Sequence, residues 1–212
     1  MLELCNLEIS SKRGKTLACI DGHFSEGSVH WIRGKSGAGK TTLLKTIAGL
    51  QPPLTGEVKL CEKSIWSISR RQRDVLRAQS MGVVFQDAGL IPCLTVGENL
   101  AFARSLSGVS SISKDDSSLL TNFGIAEVSD CLPSELSGGQ RQRAAVAAAL
   151  SKQPRLILAD EPTSALDEEN AYNVLNRLAQ YTRSGQAIAL IVSHDERVAE
   201  FADCSLEIGG SL

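Results

Sequence analysis

Three stretches of this chain bring together residue types that can handle phosphate chemistry. The first is Gly34-Lys35-Ser36-Gly37-Ala38-Gly39-Lys40-Thr41, followed by Thr42. Its spacing is G-x-x-x-x-G-K-[ST]. Glycines at 34, 37 and 39 let backbone N–H groups turn inward around a phosphate chain without Cβ clashes. Lys40 can neutralise the outer phosphates, and the Thr41 hydroxyl can ligate Mg²⁺. The second is Leu156-Ile-Leu-Ala-Asp160-Glu161, an apolar run that ends in two carboxylates. Asp160 can hold Mg²⁺ through water, and Glu161 can polarise an attacking water as a general base. The third is Leu136-Ser137-Gly138-Gly139-Gln140. A Gly-rich helix start with a free hydroxyl is an anion site, and Ser137 also suits an N-cap.

These residues need elements to hold them. Val29–Arg33 reads as a short strand running straight into Gly34, and Lys40–Leu50 as the helix that follows, with Leu43, Leu44, Ile47 and Leu50 on one face. A helix start here adds a positive dipole end to the phosphate loop. Leu156–Ala159 and Ala187–Val192 read as buried strands, which deliver Asp160 and His194 at their carboxyl ends. Leu2–Ser10, Leu17–Phe24, Val58–Leu60 and Met81–Phe85 read as further strands, and Gln86 ends the last of them. Helices are expected near Arg70–Arg77, Thr95–Ser105, Asp116–Phe123, Gly138–Lys152, Glu168–Thr182 and Glu196–Phe201. Ser105–Ser118 holds seven serines and one glycine and reads as a loop. Trp31 reads as core.

Composition sets the frame. The chain has 212 residues, 42% hydrophobic and 22% charged, with a formal net charge of −2. Apolar residues are too plentiful for a disordered chain. No apolar run approaches the ~18–20 residues of a bilayer helix. Near-neutral charge points away from a nucleic-acid surface. Six scattered cysteines and three histidines show no metal-ligand spacing, so reduced thiols in a cytosolic protein are expected. Met1–Ser11 lacks the basic start and apolar stretch of a signal peptide.

Together these motifs resemble the ATP-binding cassette (ABC) ATPases over essentially the whole length. Leu136–Gln140 resembles that family's signature. The resemblance implies an α/β fold: a P-loop NTPase core with a mostly parallel sheet, an N-terminal antiparallel β subdomain and a helical insert. It implies one domain over 1–212, with 1–86 and 154–212 as core and about 87–153 as helical subdomain. ATP and Mg²⁺ are the implied cofactors. Gly34, Lys35, Ser36, Gly37, Ala38, Gly39, Lys40, Thr41 and Thr42 would bind ATP; Thr41, Gln86 and Asp160 would hold the metal. Glu161, His194, Lys40 and Gln86 would be catalytic. Gln86 looks like the family's Q-loop glutamine, His194 like its switch histidine, and Ser164-Ala165-Leu166-Asp167 like its D-loop, with Asp167 also suited to cap the next helix.

The resemblance further implies that Ser137, Gly138, Gly139 and Gln140 act in trans, closing over nucleotide held by Lys40 of a second copy. Separate transmembrane permease subunits are the other implied partners, which would place the chain on the cytoplasmic face of the cell membrane; nucleic acid is not expected. Gly82–Asn99 resembles members serving lipoprotein release, macrolide-type export and cell division, and Ala159–Asp167 also resembles importers of small solutes. Leu90, Ile91 and Leu94 are candidate contacts for the membrane partner. A regulatory ATPase of assembly or repair, without transport, is the alternative. Two departures stand out: no aromatic occupies Ser10–Gly14, where the family stacks adenine, leaving Lys12 or Arg13 to do so, and Ala148 stands where the family carries arginine.

Overall fold

The computed structural model describes residues 1–10, 16–108, 115–185 and 187–209. Among the described residues, nine strands form two sheets. In chain order they are β1 (Leu2–Ser10), β2 (Thr16–Phe24), β3 (Val29–Gly34), β4 (Thr55–Leu60), β5 (Lys63–Ser64), β6 (Met81–Val84), β7 (Leu156–Asp160), β8 (Ile188–Val192) and β9 (Cys204–Ile208). The first sheet has the order β2-β1-β4-β5 and is antiparallel. The second has the order β6-β7-β8-β3-β9, and every adjacent pair is parallel.

The helices are α1 (Lys40–Ile47), α2 (Arg70–Ser80), α3 (Val96–Ser107), α4 (Asp115–Asn122), α5 (Gly138–Ser151) and α6 (Glu168–Gly185). Ser69, Thr95 and Ser137 cap α2, α3 and α5, each in a reciprocal box with the Gln or Glu three residues on. Such a cap stabilises a helix start by about 1 kcal/mol.

All five residues of β7 and all five of β8 are buried. Alternation sorts their side chains between two cores. Leu156, Leu158, Ile188, Leu190 and Val192 join the antiparallel sheet and α1 residues Leu43, Leu44 and Ile47. Ile157, Ala159, Ala189 and Ile191 join α5 and α6 residues such as Val146, Val174 and Leu178. A sheet covered on both faces explains why these strands read as continuous apolar runs. The alanines of α5 allow close approach to β6: a Cβ on Gly82 would lie 2.9 Å from the Ala149 carbonyl oxygen.

Three expectations change by more than a shift at an element's end, whereas the helix expected over Lys40–Leu50 only ends earlier, at Ile47. Glu196–Phe201 was expected as a helix; it is a 3₁₀ turn over Glu196–Glu200, because Asp195 caps it and Phe201 and Ala202 close back onto Val198. Cys204–Ile208 was not expected as a strand, since its exposed polar residues hide the alternation, yet it pairs with β3 along the sheet edge. The supposed Ser105–Ser118 loop is helical up to Ser107 and again from Asp115, and 109–114 lie outside the described residues. Among the described residues no helix is long and apolar enough to cross a membrane.

Candidate functional site

The turn from β3 into α1 sets the first half of the site. Gly34, Gly37 and Gly39 have φ of 148°, 80° and 102°. A Cβ on Gly34 would lie 2.3 Å from the Ile208 carbonyl oxygen, so β9 crowds this position until only glycine fits. Gly39 stands at the N-cap of α1 with no side-chain cap. The first-turn N–H groups of α1 therefore face outward with the helix dipole behind them, a ready anion cradle. Lys40 is buried; its Nζ donates to the Gly34 carbonyl at 2.7 Å and the Lys35 carbonyl at 3.2 Å, and lies 3.3 Å from His194 Nε2.

The second half is the carboxyl end of β7. Asp160 is buried at 5% exposure. Glu161 follows in left-handed backbone, φ 52°. Such a conformation in a non-glycine residue costs of order 1–3 kcal/mol and persists only where its surroundings impose it. Here they do so on both sides. The Glu161 N–H donates to the Val192 carbonyl at 2.8 Å, and its carbonyl accepts from Ser164 N, Ser164 Oγ and Gln142 Nε2 at 3.3, 3.1 and 3.3 Å. Its carboxylate accepts from Ser193 Oγ at 3.0 Å and from the His194 N–H at 3.2 Å. The imidazole of His194 itself stays 63% exposed, with Nε2 3.9 Å from Glu161 Oε1.

One cavity of about 520 Å³ collects Ser36, Gly37, Gly39, Lys40, Thr41, Thr42, Gln86, Asp160, Glu161 and His194. The Thr41 hydroxyl, Gln86 amide and Asp160 carboxylate are hard oxygen donors of few charges, which suits Mg²⁺ keeping several waters. β6 stops at Val84, one residue short of the expected strand, because the chain turns at Phe85 with Ala88 N–H bonded to its carbonyl. That turn leaves Gln86 exposed and free to face the cavity.

The remaining motif residues lie elsewhere. None of residues 137–140 lines this cavity. Ser137 Oγ accepts from the Gln140 N–H at 3.1 Å and Gln140 Oε1 accepts from the Ser137 N–H at 3.0 Å, the N-cap expected from the sequence. Gly138 and Gly139 pack against the 164–167 segment: a Cβ on Gly138 would touch Ala165 Cβ at 3.7 Å, and one on Gly139 would meet the Ala165 carbonyl and Leu166 at 3.3 Å. Asp167 caps α6 by accepting from the Asn170 N–H at 2.8 Å. This hydrogen bond and a second from the Asn170 side chain hold the Asp167 carboxyl below its ordinary pKa. Residues 11–14, where the resemblance places an adenine-stacking group, lie outside the described residues; Leu17, just beyond, lines the cavity.

Sequence reasoning missed four residues that brace the site. Ser193 holds the Glu161 carboxylate, and Gln142 holds the Glu161 carbonyl from within α5. Thr163 Oγ1 donates to Asp195 Oδ2 at 2.9 Å. Burial raises the Asp195 carboxyl, but hydrogen bonds from Arg197 and Thr163 outweigh it and hold the pKa below the ordinary value. Trp31 was read as core, and it is buried at 4% exposure, yet its Nε1 donates to the Ser193 carbonyl at 3.0 Å. Only adjacency to Glu161 and His194 could have flagged Ser193 and Thr163. Nothing in the sequence marks Gln142 or the indole.

The comparisons with known proteins agree with this geometry. The family model "ABC transporter" matches residues 17–164. An uncharacterized ABC transporter ATP-binding protein of Mycobacterium tuberculosis, Rv0986, is 35% identical over 219 residues, spanning 99% of this chain and 87% of that one. A putative hemin import ATP-binding protein, HrtA, of Staphylococcus aureus is 35% identical over 196 residues, spanning 92% and 88%. Among solved structures, the dimeric post-hydrolysis state of the ATP-binding cassette MJ0796 bound to ADP and Pi superposes with a TM-score of 0.90 at 30% identity, covering 99% of this chain and 94% of that one. The chain therefore belongs to the ABC transporter family: it is an ATP-binding cassette, an ATPase that works on ATP with Mg²⁺.

Proposed function

We propose that this chain powers a membrane transport complex by closing and reopening as an ATP-driven dimer. The observation that carries the reading is the split of the motifs. Lys40, Thr41, Gln86, Asp160, Glu161 and His194 share one cavity, while Ser137–Gln140 form a capped helix start outside it, with Ser137 and Gly138 exposed. A second copy, turned head to tail, would bring its own Ser137–Gly139 over the open side, giving two equivalent composite sites. The dimeric MJ0796 structures support that pairing.

Within each site the roles follow from position. The 34–42 loop wraps the phosphates with N–H groups, and Lys40 turns from its loop carbonyls to the outer phosphates. Mg²⁺, held by Thr41 and through water by Asp160 and Gln86, would neutralise charge on the β- and γ-phosphates. Glu161 takes the proton of the attacking water, and His194 contacts the γ-phosphate from the neighbouring turn. Loss of the γ-phosphate removes the contact that favours the closed dimer, a ligand-driven population shift.

Residues 87–153 would act as the helical subdomain that carries the signature. The transport partner would dock beside it, on the cytoplasmic face of the membrane, in an apolar groove of about 490 Å³ lined by Leu90, Ile91, Phe102, Leu106, Ala148 and Lys152. Of the three contacts expected from the sequence, Leu90 and Ile91 line this groove. The test is Glu161→Gln: it should bind ATP, release little phosphate and run as a dimer in size-exclusion chromatography with ATP and Mg²⁺. A variant that stays monomeric at high protein concentration would refute the dimer.

A further inference from the structure

Trp31 sits one step from the chemistry, on the strand that carries the phosphate loop. Its register partners are Ile191 on β8 and Ser205 on β9. The ladder between β3 and β8 ends at Ile32 and Val192. The indole takes over one residue further on: Nε1 donates to the carbonyl of Ser193, which is only 2% exposed. Ser193 in turn donates its Oγ to Glu161 Oε2 and accepts from the Asp195 N–H, both at 3.0 Å. The next N–H, that of His194, also reaches the Glu161 carboxylate.

The same ring is held on its other side. The Arg33 guanidinium lies 4.5 Å from the centroid of the Trp31 ring, and Arg33 reaches Glu196 at 3.7 Å. β3 thus grips the 193–196 turn at both ends. An indole N–H is a donor only, and burying it without an acceptor is costly, so its direction is fixed by the one carbonyl it meets. Apolar filling alone would require a ring here but no N–H.

We propose that Trp31 is a positioning residue for hydrolysis: through Ser193 it sets where the Glu161 carboxylate and His194 stand relative to the phosphate loop. This rests on the reading of Glu161 as the general base. The experiment is steady-state ATPase kinetics on Trp31→Phe, which keeps an aromatic ring beside Arg33 while removing the donor together with part of the indole. A displaced base costs rate without costing ground-state binding, so kcat should fall about five- to tenfold with the KM for ATP within twofold. The loss in Trp31→Phe/Ser193→Ala should be smaller than the product of the single losses, because both act through one chain of hydrogen bonds. Fold and ATP binding are checked by Trp31→Phe/Glu161→Gln, which should form the ATP dimer as readily as Glu161→Gln alone. Unchanged kcat in Trp31→Phe, or losses that multiply with those of Ser193→Ala, would overturn the proposal. If Glu161→Gln itself keeps full turnover, it is the reading of Glu161 that fails.

Discussion

Among the described residues, two cavities of similar size have opposite chemistry. One, about 520 Å³, is lined by backbone amides, a lysine, hydroxyls and carboxylates at the carboxyl ends of β3 and β7. The other, about 490 Å³, lies between α2, α3 and α5 and is lined by Val83, Phe85, Phe102, Ala145, Ala149 and similar side chains. The first is braced from every side. The Glu161 backbone and carboxylate are tied by Ser164, Gln142, Ser193 and His194, and Gly34 has no room for a Cβ. The second is braced mainly at one wall. Asn99 clamps the 91–95 loop, accepting from the Ile91 N–H at 2.7 Å and donating to the carbonyls of Ile91, Leu94 and Thr95. Phe102 and Leu106, farther along the same helix as Asn99, stay 43% and 52% exposed. Under the proposed function, the cavity for chemistry is held to one geometry, and the groove for a partner presents apolar area and leaves it uncovered.

If that contrast is right, substitutions should separate cleanly by cavity. The largest effect belongs to Glu161→Gln, which should lower phosphate release by about 10²–10⁴-fold, the worth of a general base, with ATP binding retained. Next, Phe102→Asp should weaken capture of co-expressed membrane subunits by about tenfold or more, as loss of an aromatic anchor does, while the isolated chain's ATPase stays within twofold. Parallel loss of both readouts would break the comparison. Gln142→Ala tests the bridge between the regions, since α5, capped by Ser137, holds Glu161 through Gln142 and lines the groove through Ala145, Ala148 and Ala149. Removing one hydrogen bond to the Glu161 carbonyl should cost about fivefold in kcat; an unchanged kcat would make that contact incidental.

The smallest effect concerns stability. Lys152 lines the apolar groove, and burial, with Arg77 nearby, lowers its pKa to about 8. Its Nζ donates to the carbonyls of Met81 and Arg77, and Asp74 lines the same groove. With the folded pKa below the ordinary lysine value of 10.5, the unfolded chain binds more protons in between. Stability should therefore rise with pH from about 8 towards 10.5. Urea titrations across that window should lose this rise in Lys152→Met. A wild-type curve that is flat or falls there would mean the groove is wetter than its lining suggests.

The two cavities also differ in how far they can be read from residues alone. The phosphate site rests on residue types that few other roles demand in that order: three glycines before Lys40, two carboxylates after an apolar strand, a histidine after another. These could be placed from spacing. The braces could not, because a glutamine on a helix or an indole in a core has many uses, and only the packing of α5 and β3 selects one. The groove is less legible still. Its walls come from 50–106 and 145–152, and no residue there is unusual by itself. The fold shows the same division. Buried strands β7 and β8 were plain, whereas β9, whose exposed residues break the apolar pattern, was invisible until its pairing with β3 was seen.

The burial of β7 and β8 on both faces has a consequence in time as well as space. Their amides lie at the centre of the sheet, shielded by two cores, so they belong to the unit that opens only with global unfolding. α2, with no buried residue, belongs to the other extreme. Asp160 ends a strand buried on both faces, and Glu161 follows it directly. The two carboxylates are therefore expected to keep their places through local openings of the periphery.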